Sequence, residues 1–349
     1  MKAADYSALD EALELLSVYG PEYHGGMTNH APMAAEALCA LGRSDAVIPW
    51  LEVYRKELLP APTPRERIGE SQWRSLLGKT SRVADWMAFF ANEMEERGWR
   101  SVLAIWVPRF APGIVSAAAH GAIRTGHAVR GIAQQETPQR RRELADALGY
   151  WASTYQTLPE GEGPRHNLRP SQAISRVAIL PLNERGQFRA ISEALTQLQT
   201  FAPFAEAANL VDTSGEPGAF LSDLSAAFAK TYLANAKNFL GAIVFVHAMT
   251  GPSALRPMLP YLPAEAASVA LRYAWQAAAG LLSVYSIPGV EEGRAEGQAP
   301  NAEELADRAI ESGDEHAIKF AEVCLREYAL NPQPEYLAAS LHASGMLRR

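Results

Sequence analysis

"SALDEALELLSVYG", residues 7–20, puts Leu9, Ala12, Leu13 and Leu16 on one face of a 3.6-residue period. Ser7 with Asp10 reads as an N-terminal capping arrangement, and Gly20-Pro21 as the stop. The same helical pattern returns over 32–43, 81–98, 113–133, 140–158, 187–201, 219–250, 264–285, 301–331 and 334–347. "RVAILP" (176–181) and "SVLAIWVP" (101–108) read as candidate strands, but no series of strands alternates with the helices. The expected fold class is therefore all-α, a single large multi-helix domain over residues 1–349 with little or no β-sheet. The Gly-, Pro- and charge-rich segment 158–172 is where it could divide into halves, and 287–304 reads as a second irregular surface segment.

With 349 residues, burying a large core is no obstacle. A formal net charge of -7 gives no general attraction to phosphate backbones or anionic lipid, which argues against nucleic acid and membrane surfaces as partners. The longest apolar stretch, Phe239 to Met249, is well short of the roughly 20 residues a span needs. The N-terminus has no apolar signal-peptide core, and Cys39 and Cys324 lie in apolar helical runs without metal-type spacing, so both read as reduced core residues. A cytoplasmic location is expected. The sequence carries no GxGxxG after a strand, no GxxxxGK[ST], no GxSxG and no HExxH, which disfavours a nucleotide-binding domain, a serine hydrolase and a helical zinc enzyme. A metal, if held, would need ligands from distant helices.

The histidines are the informative residues. Of the 8 in the chain, His166 and His342 read as solvated, and the other six lie in or beside helices with small or apolar neighbours. His120 and His127 are seven residues apart, two helical turns or about 10.5 Å along the axis, which suits one ligand and one pocket residue. Ala117, Ala118, Ala119, Gly121 and Gly126 around them allow close approach of another helix or a substrate. His247 follows the most apolar run and needs a partner, either a backbone hydrogen bond or a metal. His316 and Lys319 share a helix face, where Lys319 is either solvated or turned inward. A buried lysine readily becomes a neutral amine, which can take up carbon dioxide to become a carbamate, an oxygen ligand on a long arm. His24 and His30 flank "GGMTN", with Asn29 able to cap the helix that carries Pro32 in its first turn.

Four segments in order, "GGMTNHAPMAAEALCALGR" (25–43), "LAIWVPRFAPGIVSAAAHGAIRTGHAVR" (103–130), "FVHAMTGPSALRPMLPYL" (245–262) and "DEHAIKFAEVCLRE" (314–327), resemble the questin oxidase family. The resemblance runs from about residue 10 to about residue 335. It implies an oxidoreductase, described either as an NADPH-dependent Baeyer–Villiger-like monooxygenase or as a non-haem Fe(II) oxygenase with a histidine and carboxylated-lysine metal site. Matched motif by motif, it implies His30, His120, His247 and His316 as nitrogen ligands and Lys319 as the carbamate. His24 and His127 become outer or acid–base groups, interchangeable with a ligand. The implied partners are an aromatic or quinoid natural product and O2, in a pocket expected to be walled by some of Tyr23, Trp86, Phe89, Phe90, Trp106, Tyr232 and Trp275. A non-catalytic helical protein that binds a hydrophobic ligand remains the alternative from another class.

Overall fold

A computed structural model describes residues 2–23, 27–69, 71–295, 297 and 300–348. Its elements are α1 (Leu9–Leu16), β1 (Tyr19–Tyr23), β2 (Met27–Thr28), α2 (Ala31–Ala40), α3 (Ser44–Tyr54), β3 (Leu58–Pro60), α4 (Trp73–Leu76), α5 (Val83–Arg97), α6 (Trp99–Phe110) and α7 (His120–Gln134). There follow α8 (Pro138–Ser153), α9 (Pro170–Ala173), α10 (Ile191–Ala194), α11 (Pro217–Asn235), α12 (Phe239–Ser253), α13 (Ala264–Tyr285), α14 (Ala302–Glu311), α15 (Glu315–Leu330) and α16 (Pro334–Met346). The fold is all-α apart from one small antiparallel sheet in the order β2-β1-β3. No described helix is long and apolar enough to cross a membrane.

Both candidate strands are corrected. Residues 101–108 lie inside α6, where Trp99, Val102, Leu103, Trp106, Val107 and Phe110 are buried at helical spacing that an eight-residue window truncates. Residues 176–181 leave a short 3-10 turn and run extended along α13: Leu180 N–H donates to the Ser283 carbonyl (3.0 Å), and the Ser283 hydroxyl donates to the Ala178 carbonyl (2.6 Å). A helix end, not a neighbouring strand, satisfies this backbone. The apolar run 219–250 is two helices, because the chain breaks after Asn235 and Asn238 caps α12 by accepting from Gly241 N–H (2.8 Å). In α1 the first cap position is Ala8, without a side-chain bond, so Ser7 does not cap it.

The main apolar core runs from Met33 to Leu347 and so draws on residues before and after 158–172. Within it, α2 packs against α7 and α15, and α12 packs against the same two helices, so the four make a closed ring in the order α2, α7, α12, α15. Small residues set the α7–α12 approach: a Cβ on Gly126 would meet the Ala254 carbonyl at 2.4 Å, and one on Gly251 would meet the Ala119 Cβ at 2.8 Å. Neither site tolerates a larger residue without backbone movement.

Candidate metal centre

Each helix of the ring contributes one histidine. Ring centroids are 4.5 Å apart for His30–His120, 4.5 Å for His120–His247, 5.2 Å for His247–His316 and 4.5 Å for His316–His30, the same cyclic order as the helices. His30, His120 and His247 are buried and His316 is half-buried. Nitrogens of His30, His120 and His316 lie within 4.8 Å of one another.

Local structure orients the rings. His30 stands at the start of α2, its N–H donating to the Tyr54 hydroxyl (3.1 Å). Asn29 accepts from Ala31 N–H (2.9 Å) and donates to the Gly20 carbonyl (2.8 Å), tying the helix entry to β1. Ahead of His120, the helix expected over 113–133 is interrupted: Ala117, Ala118 and Ala119 have φ of 49°, 57° and 70°. Left-handed backbone in three non-glycine residues costs about 1–2 kcal/mol each, and it turns the Ala117 carbonyl onto His120 Nδ1. His247 Nδ1 meets the Ile243 carbonyl at 2.7 Å, one turn back in α12. On α15, Asp314 caps the helix through Oδ1, accepting from His316 N–H (2.8 Å), and the same oxygen lies 3.3 Å from His316 Nδ1.

These contacts fix the tautomers. A carbonyl oxygen only accepts, so His120 and His247 both carry their proton on Nδ1 and present bare Nε2 lone pairs. The two Nε2 atoms face one another at 3.0 Å, a repulsive contact unless a cation lies between them. Protonation is an unfavourable remedy: burial first, then the neighbouring positive groups, holds both imidazoles well below the usual histidine range. The same burial, with Lys319 next, lowers His30. Two nitrogens at right angles around a metal, each about 2.1 Å from it, are about 3.0 Å apart, so the donor set fits a divalent metal.

Lys319 is 1% exposed, and its Nζ lies 3.2 Å from His30 Nδ1. It is therefore turned inward, the second of the two readings its spacing allowed. Burial depresses its pKa to about 8 against the opposing pull of Glu315 and Asp314. Glu315 Oε1 is 3.6 Å from His30 Nδ1 and 3.8 Å from His316 Nδ1. Asp314 and Glu315 did not stand out in the sequence, although both directly precede His316, where a helix cap and an acidic first turn are ordinary features.

His127 does not join the ring of histidines. Its Nδ1 is 2.6 Å from Glu36 Oε2, in a buried ionic cluster further along α7. Burial lowers its pKa while Glu36 opposes the shift. His24 lies outside the described residues. His342 is half-buried against the Tyr232 hydroxyl (3.0 Å) rather than solvated, whereas His166 is exposed.

The expected aromatic wall is largely core. Trp86, Phe89, Phe90 and Trp106 pack on one another, Trp86 stacked on Phe90 and the others edge-to-face, Tyr232 is buried against Phe320, and Trp275 donates to the Ala207 carbonyl (2.8 Å). Tyr23 is the exception, stacked on Tyr54 (5.5 Å), which stacks on Trp50 (4.8 Å) beside His30. A cleft of about 1470 Å³ is bordered by α9 and α11 and lined by none of the four histidines. Size alone therefore does not select the site; the chemistry of the donor groups does.

The profile described as questin oxidase-like matches residues 27–324. The chain belongs to the questin oxidase-like family. The matched span begins at β2 and encloses all four histidines and Lys319. No curated protein matches the chain.

Proposed function

We propose that this member of the questin oxidase-like family is a non-haem iron-dependent oxygenase acting on a polycyclic aromatic or quinoid natural product, with oxidative ring cleavage as its reaction. The family description supports the oxidase class, and the opposed lone pairs of His120 and His247 at 3.0 Å carry the metal. His30, His120, His247 and His316 would hold it, with Lys319 as a carbamate. Divalent iron bound there supplies a redox centre for dioxygen and an electron-rich substrate. Lys319, with its lowered pKa of about 8, is neutral often enough near physiological pH to take up carbon dioxide and contribute a negative oxygen donor. Tyr23, half-buried and stacked on Tyr54, whose hydroxyl accepts from His30 N–H, offers an aromatic face for a substrate ring. The buried free thiols of Cys39 and Cys324 support a cytoplasmic setting.

The test is oxygen uptake by protein reconstituted anaerobically with Fe(II) and bicarbonate, then given hydroxylated anthraquinones in air with and without NADPH. The proposal expects quinone-dependent uptake by iron-loaded protein without NADPH, and none by metal-free protein. Turnover by metal-free protein that consumes NADPH would establish the Baeyer–Villiger-type alternative instead, and quinone binding without turnover in either state the non-catalytic binder.

A further inference from the structure

The helices that carry the histidines also carry a continuous chain of alternating charge. Arg256, three residues past the end of α12, grips Glu327 of α15 through Nε–Oε1 (2.9 Å) and Nη2–Oε2 (2.7 Å). Arg326 Nε lies between two carboxylates, 3.8 Å from Glu327 Oε1 and 3.7 Å from Glu322 Oε1. Glu322 accepts from Arg130 Nη1 of α7, and Arg130 closes on Glu36 of α2 through Nε–Oε1 (2.7 Å) and Nη2–Oε2 (2.6 Å). His127 and the Tyr6 hydroxyl (2.7 Å) complete the Glu36 end. Glu327 is 0%, Glu36 2% and Glu322 5% exposed.

Buried ion pairs add little net stability compared with apolar packing of the same volume, so their presence asks for another reason. The geometry supplies one. Within the ring each helix packs on its two neighbours, and a four-membered linkage without a tie across it can shear, shortening one diagonal as it lengthens the other. Helices α7 and α15 stand at opposite corners of this ring, each packed on α2 and α12. Arg130 to Glu322 spans that diagonal, and Arg130 to Glu36 triangulates it.

We infer that this ionic chain, centred on Arg130, is a positioning device that sets the spacing of the metal-holding helices, and that His127 belongs to it rather than to acid–base chemistry. The inference rests on the metal reading above. A shear of a fraction of an ångström would spread the four imidazoles, so loss of the brace should appear in metal affinity before it appears in the fold.

The experiment titrates metal-free protein with Co(II), reading the visible ligand-field bands and competition against a chelator, alongside thermal unfolding. Arg130→Lys keeps the charge but loses the two-pronged grip. It should raise the Co(II) Kd ten- to hundredfold and alter the band pattern. The control Leu198→Ala opens a cavity in the core beside α13 and should lower Tm without changing Kd. Should Arg130→Lys fail to fold, Arg256→Lys tests the outer link by the same readout, with a rise in Kd expected. An unchanged Kd and spectrum in a folded variant overturns the brace. Wild-type protein that takes up no Co(II) and no Fe(II) overturns the metal reading and this inference with it.

Discussion

Backbone carbonyls occupy both Nδ1 atoms of His120 and His247 and fix the tautomers, so the two Nε2 atoms, 3.0 Å apart, oppose bare lone pairs that a bound cation would relieve. Lys319 adds a second uncomfortable group to the same interior. Its folded-state pKa of about 8 lies below the ordinary 10.5, so its contribution to stability is complete above about pH 10.5 and is lost as pH falls through 8. In metal-free protein, Lys319→Met should therefore be more stable than wild type at pH 7 by about 3 kcal/mol, with the difference fading toward pH 10.5. Denaturant unfolding at both pH values checks this, and a variant equal to or weaker than wild type at pH 7 contradicts it. The same variant should hold metal more weakly, a trade of stability for function. These histidines could be singled out in the sequence because histidine among small and apolar residues is conspicuous. Glu36, Glu322 and Glu315 could not, since a carboxylate at helical spacing reads as a solvated face until tertiary packing buries it.

Most helices were legible from apolar period alone, and the exceptions have local causes. The strand assigned to 101–108 failed because β-branched residues in a short window mask the helical burial pattern of α6. The small sheet went unread because β1 and β3, of five and three residues, are joined through α2 and α3 rather than by a short turn. The left-handed run before α7 has no signal in three alanines, which are strong helix formers. Its conformation is imposed by packing and fixes the carbonyl that His120 needs. Ala117→Gly should relieve part of that cost and raise stability by about 0.5–1 kcal/mol; unchanged or lowered thermal stability would mean the backbone there is not strained. At the start of α15, Asp314→Asn keeps a side chain that caps equally well. Thermal stability should barely move, while metal Kd rises ten- to hundredfold because the carboxylate at His316 Nδ1 is lost. An unchanged Kd would reduce Asp314 to a cap.

Across the whole molecule, donors from positions 30 to 319 meet inside a ring of four helices held in a core that runs from Met33 to Leu347. No spacing rule in the sequence could pair them, since the ring exists only once α2, α7, α12 and α15 have packed; a family resemblance was needed to group them beforehand. A core of this size does not depend on metal to fold, unlike a small zinc domain. Chelation should leave the helical circular dichroism intact, whereas metal at a hundred times its Kd should stabilise the fold by about 2.7 kcal/mol. Loss of helix on chelation would contradict that division of labour. On the proposal above, the four histidines hold one metal. This is tested most directly by counting iron per chain, after anaerobic reconstitution and desalting, in wild-type protein and in His120→Ala and His247→Ala. Close to one iron per chain is expected in the wild type, with a large loss in both variants; no iron in the wild type, or full occupancy in the variants, would overturn the four-histidine site.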